Sequence, residues 1–529
     1  MTSIKYLYLA VFVSGMTVLA VEVLASRLLG SVFGTSNIVW ANVIGLILLF
    51  LAIGNYLGGR WADRSGKYTT FYKLLIWDAF LCAIIPLIAR PILVLAGESV
   101  AHIQAALVLG SFFSVLMLFA LPITLLGCTS PFAIRLAVSS QNDLVKAGRI
   151  SGQLYAISTA GSLLGTFLPT LLLIDRIGTI ATFLLFSSLL YVIALIGLWQ
   201  QQGKSALKWL WVPPIVLILA LISLNGPLRE PFSGAKLIYE HETAYNYVQV
   251  QEDQSGNRYL YLNEGQGIHS QWSPNSAADS HRTWSFFLTA PYFNNPPFKP
   301  RDVRSLAIIG LAAGTIARQY IATYGNIPID GIEIDPGIID AGARFFDMNS
   351  DKMPSLTIYA QDGRYMLNQL DKHYTVIAID AYRPPYIPWH LTTVEFFREV
   401  HAHLDINGVT AINVGRTNSD RRLVDAMVTT LLEVFPTVHA IDVPNSFNTI
   451  LIATVQSTVN TNLLANQAIL PPDAPNLLQD SIAWGIHQSV AINTSGTVFT
   501  DDRAPVEALV DSLVINFLLS DNTNQLAPQ

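Results

Sequence analysis

At 529 residues, with 13% charged side chains and a mean hydropathy of +0.42, the chain is too long for one ordinary domain and too apolar for a typical soluble enzyme. A net charge of −6 without a basic patch argues against a nucleic-acid partner. The two cysteines, Cys82 and Cys128, lie in or near apolar segments, which excludes a disulfide scaffold and the usual zinc spacings, and no metal is expected.

Apolar character is concentrated before Gly226, in runs of about 17–27 residues, the length needed to cross a ~30 Å hydrocarbon layer. Seven spans can be drawn, at about 6–29, 37–59, 69–95, 103–126, 151–174, 178–199 and 208–224, giving a multi-pass membrane domain over residues 1–225. The first imitates a signal peptide, but its apolar run is too long and lacks a small-residue cleavage site. Pro86, Pro122 and Pro169 fall in or near spans, where neighbouring helices can satisfy the carbonyls they free. Gly54, Gly58 and Gly59, and the run from Gly161-Ser162 to Gly165-Thr166, suit close helix–helix contact. Glu22 and Asp78 lie within spans, where an ionised carboxylate costs at least ~2–3 kcal/mol. Each reads either as a polar site facing the bundle interior or as a carboxylate held at an interface or by a neighbouring helix. No internal repeat supports a transporter built from inverted halves.

Basic residues set the orientation. Arg60, Arg64, Lys67 and Lys73 mark the loop after the second span as cytoplasmic, as do Arg135, Lys146 and Arg149 after the fourth, and Lys204 and Lys208 after the sixth. The N-terminus is therefore inside. Seven spans would then deliver the rest of the chain to the outer side, where a cytosolic nucleoside is not expected. The seventh segment is short and carries Pro213-Pro214, so the side of the C-terminal half stays open.

The second half alternates strands and helices. Short strands in KLIYEHET, NYVQVQED and NRYLYLNEG predict a small antiparallel sheet over residues 235–295, with NPPFKPR as a linker. From Val303 the order strand–helix–strand recurs, which predicts an open, mostly parallel, doubly wound α/β domain over residues 300–520. Gly310, Ala312 and Gly314 form a glycine-rich turn after its first strand, and Glu333 ends the next strand about twenty residues on, the pattern that places an acid on two ribose hydroxyls. Asp335 follows closely. Asp362-Gly363 makes a turn that can meet an adenine amino group, and Asp380 closes the apolar strand VIAI at the same sheet edge.

With these motifs in place, the chain resembles the spermidine synthase family, and more closely its membrane-fused, spermidine synthase-like branch. The resemblance runs through LGCTSPFAIRL, GQLYAISTAGSLLGTFLPTLLL, IIGLAAGT, GIEIDP, DAYRPPYIPWHLTTVEFF and FTDDRAPVEALV. It implies a membrane bundle fused to a methyltransferase-type, Rossmann-like domain with a small N-terminal β-sheet. It places the glycine turn on Gly310–Gly314, the ribose acid on Glu333, the adenine contact on Asp362-Gly363 and the proton-accepting carboxylate on Asp380. The implied donor is S-adenosylmethionine or its decarboxylated form, used as a co-substrate. Two departures stand out. The family's second aspartate is Arg383 here, and its Tyr-His-Glu segment falls on Trp284-Ser285-Phe286. His269 takes the place of a glutamine, and His269, His281, Tyr382, Arg383 and His390 are candidates for a rebuilt acceptor site.

Three functions follow from these readings. The first is a membrane-bound transferase moving an aminopropyl or methyl group to a small-molecule acceptor. The second is an inactive synthase-like protein used for ligand sensing or assembly, and the third a transporter regulated by the domain. The expected partners are the acceptor and the lipid bilayer, with a homodimer left open.

Overall fold

The computed structural model describes residues 4–33, 37–100, 105–141, 147–223, 230–263, 267–274, 282–382 and 387–519. They fall into two units, Met1–Glu230 with Glu242–Asn246, and Pro231–His241 with Tyr247–Gln529.

In the first unit the apolar runs form α1 (Ile4–Phe33), α2 (Asn37–Arg64), α3 (Tyr68–Val100), α4 (Ala105–Gln141), α5 (Ala147–Leu168), α6 (Ile174–Gln202) and α7 (Val212–Ser223). Small residues decide which helices touch. A Cβ added at Gly161 or Gly165 of α5 would lie 2.0 Å from the carbonyl oxygens of Phe12 and Met16 on α1, so only glycine permits that approach. Gly54 and Gly58 of α2 stand in the same relation to Thr124 and Cys128 of α4. Pro169 opens a π-helical turn, Pro169–Leu173, that joins α5 to α6, and Gly178, at φ +77°, breaks α6 early. Large apolar side chains such as Met117, Leu171 and Ile222 remain exposed on this unit.

Six helices among the described residues are long and apolar enough to cross a membrane, not seven. The 12 residues of α7 rise only about 18 Å at 1.5 Å each, well short of ~30 Å. The basic and polar stretch before it, Gly203–Trp209, winds as a 3-10 helix instead of extending a span.

The second unit opens with β1 (Lys236–Glu242), β2 (Tyr247–Glu252), β3 (Arg258–Leu262) and β4 (Ile268–Trp272), in spatial order 1-2-3-4. The expected sheet over 235–295 is shorter than the sequence reading, ending at Trp272. Thr283–Phe293 is a 3-10 helix, buried from Trp284 to Phe293 against the main sheet. Its run of aromatic and aliphatic residues has no period-2 polar face, which is why it forms core and not a half-exposed strand.

The main domain continues as β5 (Leu306–Ile309), α8 (Thr315–Tyr324), β6 (Ile329–Glu333), α9 (Pro336–Phe345), β7 (Leu356–Ala360), α10 (Gly363–Gln369), β8 (Tyr374–Ile379), α11 (Val394–Ala402) and β9 (Leu404–Gly415). After these come α12 (Arg422–Leu432), β10 (Thr437–Asp442), β11 (Asn448–Thr454), α13 (Thr461–Gln467), α14 (Asn476–Gln488), β12 (Ser489–Val490) and α15 (Val506–Leu519). The strands lie in the order β7-β6-β5-β8-β9-β11-β10-β12. The first five are parallel and β11 is antiparallel to both neighbours. Both faces of the sheet are covered, so the central strands read as unbroken apolar runs. Along β5, Ala307 and Ile309 face one core with α11 and α12, while Leu306 and Ile308 face the other with α8 and the Thr283–Phe293 helix. Strand order reverses at β5, between β6 and β8, and a doubly wound sheet has its ligand crevice at that point.

Candidate active site

The turn after β5 is built by close backbone approach. Gly310 has φ +87°, and a Cβ there would lie 2.5 Å from the Ala381 nitrogen, so the turn can press against the end of β8 only because residue 310 has no side chain. The Asp380 N–H donates to the Ile309 carbonyl at 2.8 Å, binding the two strand ends together. Ala312 adopts φ +47° and Gly314 φ +80°, and Gly314 is the N-cap of α8. Across the turn lies β4: the Ala313 N–H donates to Ser270 Oγ at 2.9 Å, and the Gln271 N–H to Thr315 Oγ1 at 3.1 Å.

Glu333 organises this turn as well as facing it. Its Oε2 accepts the Ala312 N–H at 2.9 Å and its Oε1 the Asp335 N–H at 3.1 Å, with only 7% of the residue exposed. Burial pushes its carboxyl up to about 7, against the pull of those two bonds. Each oxygen keeps a second lone pair, so two ribose hydroxyls can still be accepted. Asp335, expected as a nucleoside ligand, is fully buried, and its Oδ1 caps α9 by accepting the Gly337 N–H at 2.9 Å. It holds the helix that follows the ribose acid.

Asp362 caps α10 through the Tyr365 N–H at 3.0 Å and meets His390 Nε2 at 3.0 Å. The His390 hydrogen bond holds its carboxyl below the usual range. Gly363 is required because a Cβ would lie 2.4 Å from Ile309 Cγ2, at the end of β5. Arg364 next to it bonds Glu399 at 2.6 Å and Asp501 at 2.8 Å, and Thr393 donates to Asp501 at 2.6 Å. The FTDDR string thus anchors the α10 turn, a role the sequence did not reveal.

Asp380 lies one residue beyond β8, half-buried. Its Oδ1 accepts from Asn413 Nδ2 on β9 at 2.9 Å, and the Trp284 side chain, whose indole N–H is a donor only, also bonds it. Burial pushes its carboxyl up to about 7, and those two bonds oppose the shift. Two of these partners correct the sequence reading. The Trp284-Ser285-Phe286 segment does not abandon the site, since Trp284 reaches Asp380. Asn413 was missed, although a polar residue in the apolar strand GVTAINV was a usable signal. Tyr382, two residues beyond Asp380, packs against the apolar core of α11 and α12, and its N–H donates to the Asp380 carbonyl at 2.8 Å. His269 sits on β4 beside Ser270, partly exposed. Arg383 and His281 lie outside the described residues.

The glycine turn, Glu333, Asp362 and Asp380 therefore meet at the carboxyl edge of β5, β6, β7 and β8, and fold and site define a Rossmann-like domain of the methyltransferase type. A spermine/spermidine synthase domain matches residues 294–466. A probable polyamine aminopropyl transferase of Bifidobacterium longum is 29% identical over 55% of this chain and 68% of its own. A polyamine aminopropyltransferase of Vibrio vulnificus is 28% identical over 49% and 84% respectively. The crystal structure of a probable spermidine synthase from Corynebacterium glutamicum overlaps 45% of this chain and 87% of its own, at 20% identity and a TM-score of 0.38. Residues 294–466 therefore form a domain of the spermine/spermidine synthase type, and the two sequence relatives support a transferase.

Proposed function

We propose that this protein is a membrane-integral transferase with an S-adenosyl donor, its catalytic unit on the cytoplasmic side, carrying out aminopropyl-type transfer to an acceptor other than a linear diamine. The observation that carries the reading is the meeting of the glycine turn, Glu333 and Asp380 at the switch point, with Asp380 bonded through its backbone to Ile309. Glu333 receives the ribose hydroxyls and Asp362 the adenine amino group, while Gly310 lets the turn close against the end of β8. Asp380 holds the acceptor nitrogen and takes its proton as the new N–C bond forms and the C–S bond breaks. The bonding electrons pass to sulfur, so the leaving thioether is neutral and needs no acid. A carboxyl pushed up to about 7 suits a proton acceptor near neutral pH and favours this reading over a retired synthase.

Six crossings with basic loops inside would return the chain to the side on which it began, which supports a cytoplasmic catalytic unit. The acceptor follows from charge. Arg383 stands three residues from Asp380 where the family has an acid, and like charges 4 Å apart repel by about 4 kcal/mol even at an effective dielectric of ~20. A neutral or anionic, membrane-associated acceptor suits that arginine better than a diamine. The test gives the full-length protein decarboxylated S-adenosylmethionine with putrescine, and in parallel with a lipid extract. Label moving to the extract and not to putrescine is expected. Efficient spermidine formation would return the protein to ordinary polyamine synthesis, and transfer from S-adenosylmethionine alone would make it a methyltransferase.

A further inference from the structure

The helix bundle holds a carboxylate that the nucleoside site does not use. Asp78 lies on α3 halfway along the apolar stretch Tyr68–Ala89 and is fully buried. Neither of its oxygens has a hydrogen-bond partner among the described residues. An ionised carboxylate left in that condition costs several kcal/mol, and carboxylates inside membrane helices mark ion or substrate sites.

Two thiols lie near it. Cys82, one turn further along α3, and Cys128 of α4 are within electrostatic reach of Asp78. Cys128 Sγ already donates to the Thr124 carbonyl at 3.3 Å. The adjacent Thr129 donates its hydroxyl proton to the Leu126 carbonyl at 2.7 Å, so in its 2.9 Å bond with Ser14 of α1 the serine must be the donor. Both hydroxyl protons are then committed and their lone pairs stay open. Proline removes donors from the backbone too. Pro86 offers no N–H to the carbonyl of Cys82, and Pro131 none to that of Gly127. The result is a carboxylate at mid-depth that no described donor meets. Among the described residues no three His, Cys, Asp or Glu side chains gather to hold a multivalent metal.

We propose that Asp78 anchors a monovalent-cation site in the helix bundle, filled by an alkali ion or by the head of a primary ammonium compound. The carboxylate balances the charge of the ion. The site gives the bundle a ligand of its own. It rests on the reading that the bundle lies in a bilayer, and not on the transfer chemistry.

The experiment uses full-length protein in lipid nanodiscs, treated with dicyclohexylcarbodiimide, with the modified carboxyl located by peptide mass spectrometry. Asp78 is expected to react in choline chloride. With the site occupied at ten times its dissociation constant, the free fraction and hence the labelling rate should fall about tenfold. Sodium, potassium and methylammonium chlorides at equal ionic strength separate an alkali ion from an ammonium head. Asp78→Asn should lose the adduct. A helical circular-dichroism spectrum and recovery of the variant in the nanodisc fraction show that its bundle is folded. A labelling rate equal in all four salts would overturn the proposal, as would no adduct at Asp78 in choline chloride. Protein recovered outside the lipid fraction would overturn the membrane reading, and the site with it.

Discussion

In the C-terminal unit each carboxylate near the sheet is met by donors. Glu333 has two backbone N–H groups, Asp380 has Asn413 and Trp284, and Asp330 has Lys372 at 2.9 Å and Tyr374 at 2.8 Å. In the bundle Asp78 is fully buried and has none among the described residues. The difference separates two ways of using a buried acid. Where donors surround it, the carboxylate is held in position, its charge is partly offset, and it can work on a ligand that arrives neutral or weakly polar. Where donors are missing, the charge itself is what remains to be satisfied, and only a cation or a proton satisfies it.

The largest test of that contrast is Asp380→Asn. It keeps the shape and the bond to the indole but removes the proton acceptor, so turnover should fall by ~10²–10⁴-fold while nucleoside affinity, read by calorimetry, stays close to wild type. Equal turnover would reduce Asp380 to a structural group. Glu333→Ala comes next. Two ribose hydroxyls lose a charged acceptor worth ~1.5–3 kcal/mol each, and the Ala312 and Asp335 N–H groups lose their partner as well. Nucleoside binding should drop by roughly a hundredfold or more, and Glu333→Gln should restore part of it because the amide oxygen can still serve one of those donors. If the glutamine variant is no better than alanine, the organising role assigned to Glu333 is wrong.

A smaller effect is expected from Gly310→Ala. The added Cβ meets the Ala381 backbone at 2.5 Å and the residue keeps a positive φ, so unfolding should become easier by about 1–3 kcal/mol, seen as a lower melting temperature of the C-terminal unit. An unchanged melting curve would mean that β5 and β8 are not pressed together as described. The mildest test is the pH profile. With the Asp380 carboxyl pushed up to about 7, the base is protonated below that pH and ionised above it. The rate should therefore fall about tenfold per pH unit below 7 and level off above it, and should lose this dependence in Asp380→Asn. The same shift makes the folded state slightly less favoured as pH rises from about 4 to 7, because the unfolded chain releases the proton first. A rate flat from pH 5 to 8 would show an acid that is not buried.

Much of the C-terminal site was legible because its determinants are local. A glycine turn, an acid at a strand end and an Asp-Gly turn are each written within a few residues, and a mostly parallel sheet follows from the alternation of strands and helices. The partners of those residues were not legible. Asn413 and Trp284 reach Asp380 from 33 and 96 positions away, and Asp501 reaches Arg364 from 137. The local role of Asp335 was not legible either: two residues after Glu333, it caps the helix that follows by accepting the Gly337 N–H.

By itself the sequence determined that an apolar helical half precedes a doubly wound α/β domain, since hydropathy and periodicity act over one helix or strand at a time. It also determined the close contacts at Gly54, Gly58, Gly161 and Gly165, because spacing along one helix decides which backbone lies bare. Tertiary structure alone decided that the Thr283–Phe293 run is a buried helix and which donors meet each acid. Whether Asp78 has a partner is a property of three helices at once. No window of sequence contains the absence of a donor, because that absence depends on every neighbour the fold brings near.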